Sequence, residues 1–158
     1  MLARAVLAFV ACPGIVAYAV PFLLHRIESD SHRNRAGLIL LCIGTLLLLW
    51  CVRDFYVAGR GTLAPWAPPR RLVTVGLYRY TRNPMYIAVA LVLLGWALWF
   101  ESWMLLTYAL AVTAAFHVRV VFGEEPWLAR THGEAWQRYK ARVPRWLVSH
   151  RAARDPEG

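Results

Sequence analysis

Charge is scarce in this sequence. Asp, Glu, Lys and Arg make up 17% of the 158 residues, against about a quarter in an average soluble domain. Acid is scarcer still, with nine Asp and Glu against 18 Lys and Arg. A second, soluble domain has no stretch to be built from. Cysteine is limited to Cys12, Cys42 and Cys51, an odd number within or at the edge of apolar runs. They have no zinc-ligand spacing, and read as small buried or lipid-facing residues. His25, His32, His117, His132 and His150 are scattered, with no HxxxH or HExxH pair, so no metal site is expected.

What the chain has instead is apolar length. Hydrophobic residues reach 59% and concentrate in four runs, each near the roughly 20 residues that cross a bilayer as a helix. The fold class expected is an all-α integral membrane protein of about four transmembrane helices, one domain over residues 1–158. The first run, Met1 to about Leu24, is broken by Pro13-Gly14 and Pro21, which a membrane helix tolerates. A signal peptide competes there, because Ala17-Tyr18-Ala19 resembles a cleavage site. The second run spans Ala36 to about Val52 and closes on Arg53-Asp54. Phe55 to Val75, with Gly59, Gly61, Pro65, Pro68 and Pro69, reads as a turn-rich connector without helix. Its Trp66, Arg60, Arg70 and Arg71 suggest that it lies along the interface.

The third run, Pro84 to Phe100, and the fourth, Trp103 to Phe122, are separated only by Glu101-Ser102. So short a link predicts an antiparallel hairpin, with Trp96, Trp99, Phe100 and Trp103 as an interfacial aromatic belt. Arginines crowd the segment after the second run and the C-terminal tail, and none lies in the hairpin turn. The positive-inside rule then puts that segment, the tail and both termini on the cytoplasmic side. The formal charge of +9 therefore points to a membrane surface rather than to nucleic acid.

Two stretches carry chemistry. In Gly76-Leu77-Tyr78-Arg79-Tyr80-Thr81-Arg82-Asn83-Pro84-Met85-Tyr86, Asn83 suits an N-cap and Pro84 the first helical position. Arg79 and Arg82 beside a helix N-terminus make a prepared anion site; headgroup anchoring is the plainer alternative. In the tail, Glu124-Glu125 is expected at a helix C-terminus, where two carboxylates oppose the macrodipole. Pro126 restarts the chain, and Gly133 to Arg142 forms a short amphipathic helix with Trp136, Tyr139, Lys140 and Val143 on one face. A solvated helix end and simple membrane anchoring are the plainer readings of the tail.

Gly76 to Tyr86, then Glu124-Glu125, then Gly133-Glu134-Ala135-Trp136-Gln137-Arg138-Tyr139-Lys140-Ala141-Arg142-Val143-Pro144 together resemble the core of the integral membrane methyltransferases. That family includes isoprenylcysteine carboxyl methyltransferase and the phospholipid N-methyltransferases. The resemblance covers Gly76 to Trp146, and each piece alone is weak. It implies S-adenosylmethionine held at the cytoplasmic face between the connector and the tail. It makes Arg82 and Arg142 the catalytic candidates, and Gly76, Tyr78, Arg79, Asn83, Pro84, Tyr86, Glu124, Glu125 and Tyr139 the cofactor-binding ones. Asn83 stands where the family often has histidine, and it cannot titrate near neutral pH. Ile87 precedes Ala88 where a small residue often follows the motif tyrosine. The acceptor implied is lipophilic, foremost a prenylcysteine-type carboxylate, with a phospholipid amine or a small thiol as alternatives. A non-catalytic accessory or anion-conducting membrane protein is the competing class, since fold does not fix function.

Overall fold

A computed structural model describes residues 10–27, 33–59 and 72–147, and among these every regular element is helical. A π-helical stretch, Val10–Ala19, runs into α1, Val20–Ile27; α2 is Arg35–Gly59 and α3 is Pro84–Trp99. After Phe100–Ser102 comes α4, Trp103–Arg119, then a π-helical segment, Val120–Glu124, and α5, Glu125–Arg142. The connector residues 60–71, with Arg60, Trp66, Arg70 and Arg71, lie outside the described residues, as does the side chain of Cys12.

Among the described residues, two helices have the length and apolarity to cross a membrane. One is Arg35–Asp54; the other lies in the continuous helical run Trp103–Arg142, whose apolar part ends at Phe122. Pro13–Ile27 and Pro84–Trp99 are apolar but shorter; at 1.5 Å per residue, 16 residues reach only about 24 Å of a core about 30 Å thick.

Close backbone packing places α3. It lies along α2, where glycines remove the side chains that would hold the helices apart. A Cβ on Gly95 would stand 2.7 Å from the Leu41 nitrogen, and one on Gly37 would stand 2.2 Å from the Trp99 nitrogen. The Asn34 N–H, just before α2, donates to the Trp99 carbonyl at 3.0 Å. Leu48, Ala88, Val89, Val92, Leu93 and Ala109 then form one core with Ala17.

The proline-broken first segment is held by polar side chains. Pro21 has no N–H, so a carbonyl one turn earlier loses its partner. The two carbonyls at that depth are both occupied: Trp96 Nε1–H donates to Ala17 O at 3.0 Å, and the Tyr108 hydroxyl donates to Val16 O at 3.0 Å. In an apolar setting each such bond satisfies a group that water cannot reach. Trp96 is therefore an internal strut, while Trp103 is 81% exposed and suits a lipid-facing position.

Three local expectations change. Helix α2 continues through Phe55 to Gly59; no proline falls within it, and its first glycine near that end is its last residue. Asn83 does not cap α3 through its side chain; its Nδ2 donates instead to the Arg145 carbonyl at 3.1 Å. Glu124 and Glu125 do not sit at a free helix end, because the π segment carries α4 into α5 without a break. The kink falls later, at Gly133, whose φ of +49° and ψ of −120° are outside the helical region.

Candidate active site

The site forms where residues 72–83 meet the C-terminal segment. Gly133 redirects α5, and its last turns bury Trp136, Tyr139 and Val143 against Leu72, Leu128 and Ala129. Lys140, expected on the same face, is exposed. The buried face thus covers protein rather than lying open to lipid. Backbone bonds fasten the seam: Arg82 N–H donates to Pro144 O at 2.9 Å. The Thr81 hydroxyl and Asn83 Nδ2 both donate to Arg145 O, each at 3.1 Å. One turn away, the Tyr139 hydroxyl donates to the Tyr78 carbonyl at 2.7 Å. Burial raises the Tyr139 phenol above its ordinary range, against the pull of Arg82, which keeps it a donor.

Inside this seam lies a buried ion cluster. Glu125 is only 8% exposed. Its Oε1 accepts from Arg82 at 2.8 Å and from Arg145 Nε at 2.7 Å, and its Oε2 accepts from Arg145 NH2 at 2.9 Å. The Arg145 fork is bidentate, the strongest form of such a pair. Burial alone would push the Glu125 carboxyl up, but the Arg145 hydrogen bonds and the charges of Arg82, Arg145 and Lys140 outweigh it and hold the group below the usual carboxylate range. Burial draws the Arg82 guanidinium down, opposed by Glu125, and the group remains cationic. Its carbon lies 5.5 Å from the centre of the Trp136 ring, within cation–π range. Arg82 Nε is buried and has no partner among the described residues.

A second cluster lies on the same side. The Tyr86 hydroxyl donates to Glu124 Oε1, which also accepts from Arg119 Nε at 2.9 Å. The Tyr86 ring meets Phe116 of α4 at 4.5 Å between centroids. From these two rings an apolar groove runs between α3 and α4, lined by Ile87, Ala90, Leu91, Leu94 and Thr113, with Trp146 beside it. Trp146 Nε1–H donates to His117 Nδ1 at 3.1 Å. The arrangement sets a largely buried ion cluster beside an apolar groove, groups suited to an anion-bearing polar molecule and to an aliphatic chain.

A family model described as phospholipid methyltransferase matches residues 33–135. The chain belongs to the phospholipid methyltransferase family. No curated protein and no solved structure matches it. The matched region takes in α2, α3, α4 and the Glu124-Glu125 step, but stops before Trp136, so the tail residues of the methyltransferase are known from its own geometry.

That geometry gathers most of the residues expected from the sequence. Arg82, Asn83, Tyr86, Glu124, Glu125 and Tyr139 all take part in the bonds above. Pro84 is buried at the start of α3. Gly76 has a φ of +57° and opens a short 3-10 turn, Gly76–Arg79, in which Tyr78 is buried and Arg79 is partly buried. Arg142 differs: it is exposed at the end of α5, outside the ion cluster. Arg145 takes the place beside Glu125 instead. Helical spacing could not find it, because Pro144 ends the helix and the chain turns back toward Thr81. Arg119 was also missed; it lies five residues before Glu124, a spacing that pairs them only through the π segment.

Proposed function

We propose that this membrane methyltransferase moves a methyl group from S-adenosylmethionine to a lipophilic acceptor at the seam between residues 81–83 and α5. The observation that carries the reading is the buried Arg82–Glu125–Arg145 cluster beside an apolar groove headed by Tyr86 and Trp146. A water-soluble donor and a lipid-soluble acceptor need such a junction.

The residues fit a donor with a carboxylate and cationic groups. Arg82 Nε is a buried donor in need of an acceptor, which suits the carboxylate. Glu124, held by Tyr86 and Arg119, offers its remaining lone pairs to an ammonium or a hydroxyl. Glu125 is saturated by two arginines and orients Arg82. When bound, S-adenosylmethionine would supply an electrophilic methyl carbon on a sulfonium. The protein's part is then alignment and exclusion of water, and the buried cluster of Trp136, Tyr139 and Val143 keeps water from the tail side. The site and both termini face the cytoplasm in this reading.

For the acceptor, a prenylcysteine-type carboxylate is favoured. Arg82, Arg119, Arg142 and Arg145 outnumber Glu124 and Glu125 around the site, and a carboxylate attacks without first losing a proton. Asn83 in place of histidine is no handicap for such an acceptor. Arg142, exposed beyond the cluster, is assigned to the acceptor's anionic end. A phospholipid amine is the second reading, favoured by the family match.

The test is incubation of the purified protein in vesicles with methyl-labelled S-adenosylmethionine and a membrane lipid extract. A base-labile label in an apolar product identifies a methyl ester, and a base-stable label in phospholipid identifies the amine. Label in a small thiol would displace both acceptors. If the protein neither binds the donor nor transfers label, the enzymatic reading falls, and the accessory or anion-conducting alternative replaces it.

A further inference from the structure

Asp54 has no part in the clusters above, yet the protein buries it at the end of the α2 apolar run. Its side chain is 7% exposed, and its only partner among the described residues is Arg53, 3.1 Å from Oδ1 and itself 72% exposed. Oδ2 is buried and accepts nothing among the described residues. A half-satisfied buried carboxylate is costly and, without a ligand, gives nothing back. It is not a helix terminus residue, because α2 runs on to Gly59. An ion pair with Arg53 alone would need no burial.

The backbone is also shaped around this carboxylate. The position a Cβ would take on Gly76 lies 1.8 Å from Asp54 Oδ2, and Gly76 adopts a φ of +57°. Glycine alone allows both the turn and the approach. Cys51, one turn before Asp54 on α2, packs with Val73 and Tyr78, and Tyr78 is the residue whose carbonyl Tyr139 holds. At the far end of the same segment, Arg82 Nε is a buried donor without a partner among the described residues. One eight-residue segment, 76–83, is thus bracketed by an unused acceptor on an acid and an unused donor on a base.

We propose that Asp54 is a binding residue for the methyl donor: Oδ2 accepts from an N–H or O–H group of S-adenosylmethionine, either the α-ammonium or a ribose hydroxyl, while Arg82 Nε meets the carboxylate. The proposal rests on the donor assigned above. It gives the segment opposite charges at its two ends, the pairing that a donor with an ammonium and a carboxylate needs.

The experiment compares wild-type protein with Asp54→Asn, and with Asp54→Ser as a second variant. Binding of S-adenosylhomocysteine and of 5′-methylthioadenosine is measured by calorimetry, alongside thermal unfolding with and without ligand. A charge-assisted bond to a buried carboxylate predicts S-adenosylhomocysteine binding about 10- to 100-fold weaker in the variants. Equal weakening of methylthioadenosine, which keeps the ribose but lacks the ammonium, assigns the hydroxyl; loss confined to S-adenosylhomocysteine assigns the ammonium. The ligand-free variants should melt at or above the wild-type temperature, because a half-satisfied buried carboxylate is gone, and should gain less on ligand addition. A purely structural aspartate would lower the ligand-free melting temperature instead. Unchanged affinity in a folded variant, or a lower ligand-free melting temperature, overturns the role of Asp54 and leaves the donor assignment standing. Wild-type protein that binds neither ligand overturns the donor assignment itself.

Discussion

Glu125→Gln removes the one anion that two arginines share. Three charge-assisted bonds of 2.7 to 2.9 Å end on this carboxylate. Valued singly at about 1.5–3 kcal/mol each, they would overcount, because Arg145 is 30% exposed and can turn toward water. Arg82 has no such exit, with a side chain only 9% exposed. Removing one member of a buried pair costs about 3–5 kcal/mol. Glutamine keeps the shape and one acceptor, so about half of that, roughly 2 kcal/mol, is expected. In a chain of this size that lowers Tm by about 4–8 °C, measured by thermal unfolding in one detergent for all variants. The pH dependence supplies a second reading. The folded Glu125 carboxyl titrates below its ordinary value of 4.5, so between those two values the unfolded chain holds the extra proton. Stability from this group is complete above about pH 4.5 and is lost as the pH falls through the folded value. Glu125→Gln should lack that acid-side loss. A melting temperature within 1 °C of wild type (a margin of about 0.3–0.5 kcal/mol), with the acid-side loss intact, would refute the view that this carboxylate ties the tail to residues 81–83.

Other substitutions separate roles. Arg145→Ala should lower Tm by several degrees, whereas Arg142→Ala should leave Tm unchanged and still remove turnover; retained activity in Arg142→Ala would count against its contact with the acceptor. Trp96→Phe leaves the Ala17 carbonyl without its donor and should destabilise by about 1–3 kcal/mol, read from the shift of the unfolding midpoint. Gly95→Ala drives a methyl into the Leu41 backbone and should cost about 1–3 kcal/mol; a melting curve matching wild type would mean that α2 and α3 can separate without penalty.

The helices were legible because apolar length announces them, and the start of α3 followed from Pro84. The length of α2 was hidden, since residues of mixed character at 53–59 have no helix breaker before Gly59. The site was partly legible. Arg82, Glu124 and Glu125 are marked by unusual charge beside apolar runs, and Tyr86 by its place in the motif after Pro84. Arg145 and Asp54 are not, because their surroundings come from the folding back of Pro144 and from the approach of Gly76, which are contacts between segments far apart in the chain. Asn83 shows the same limit: its residue type suggested a cap, but its side chain makes no cap bond and its amide is held by the carbonyl of Arg145, far along the chain.

The bond from the Arg82 N–H to Pro144 O orders events during synthesis. Arg82 leaves the ribosome more than sixty residues before its partner, so the nascent chain must form α3 and α4 while that guanidinium still waits for Glu125 and Arg145. Competence for chemistry arrives only with the last stretch translated. A chain stopped after Arg142 should therefore insert and yet fail to retain a methyl donor, and retention by such a chain would break the connection drawn here between the clasp and the site.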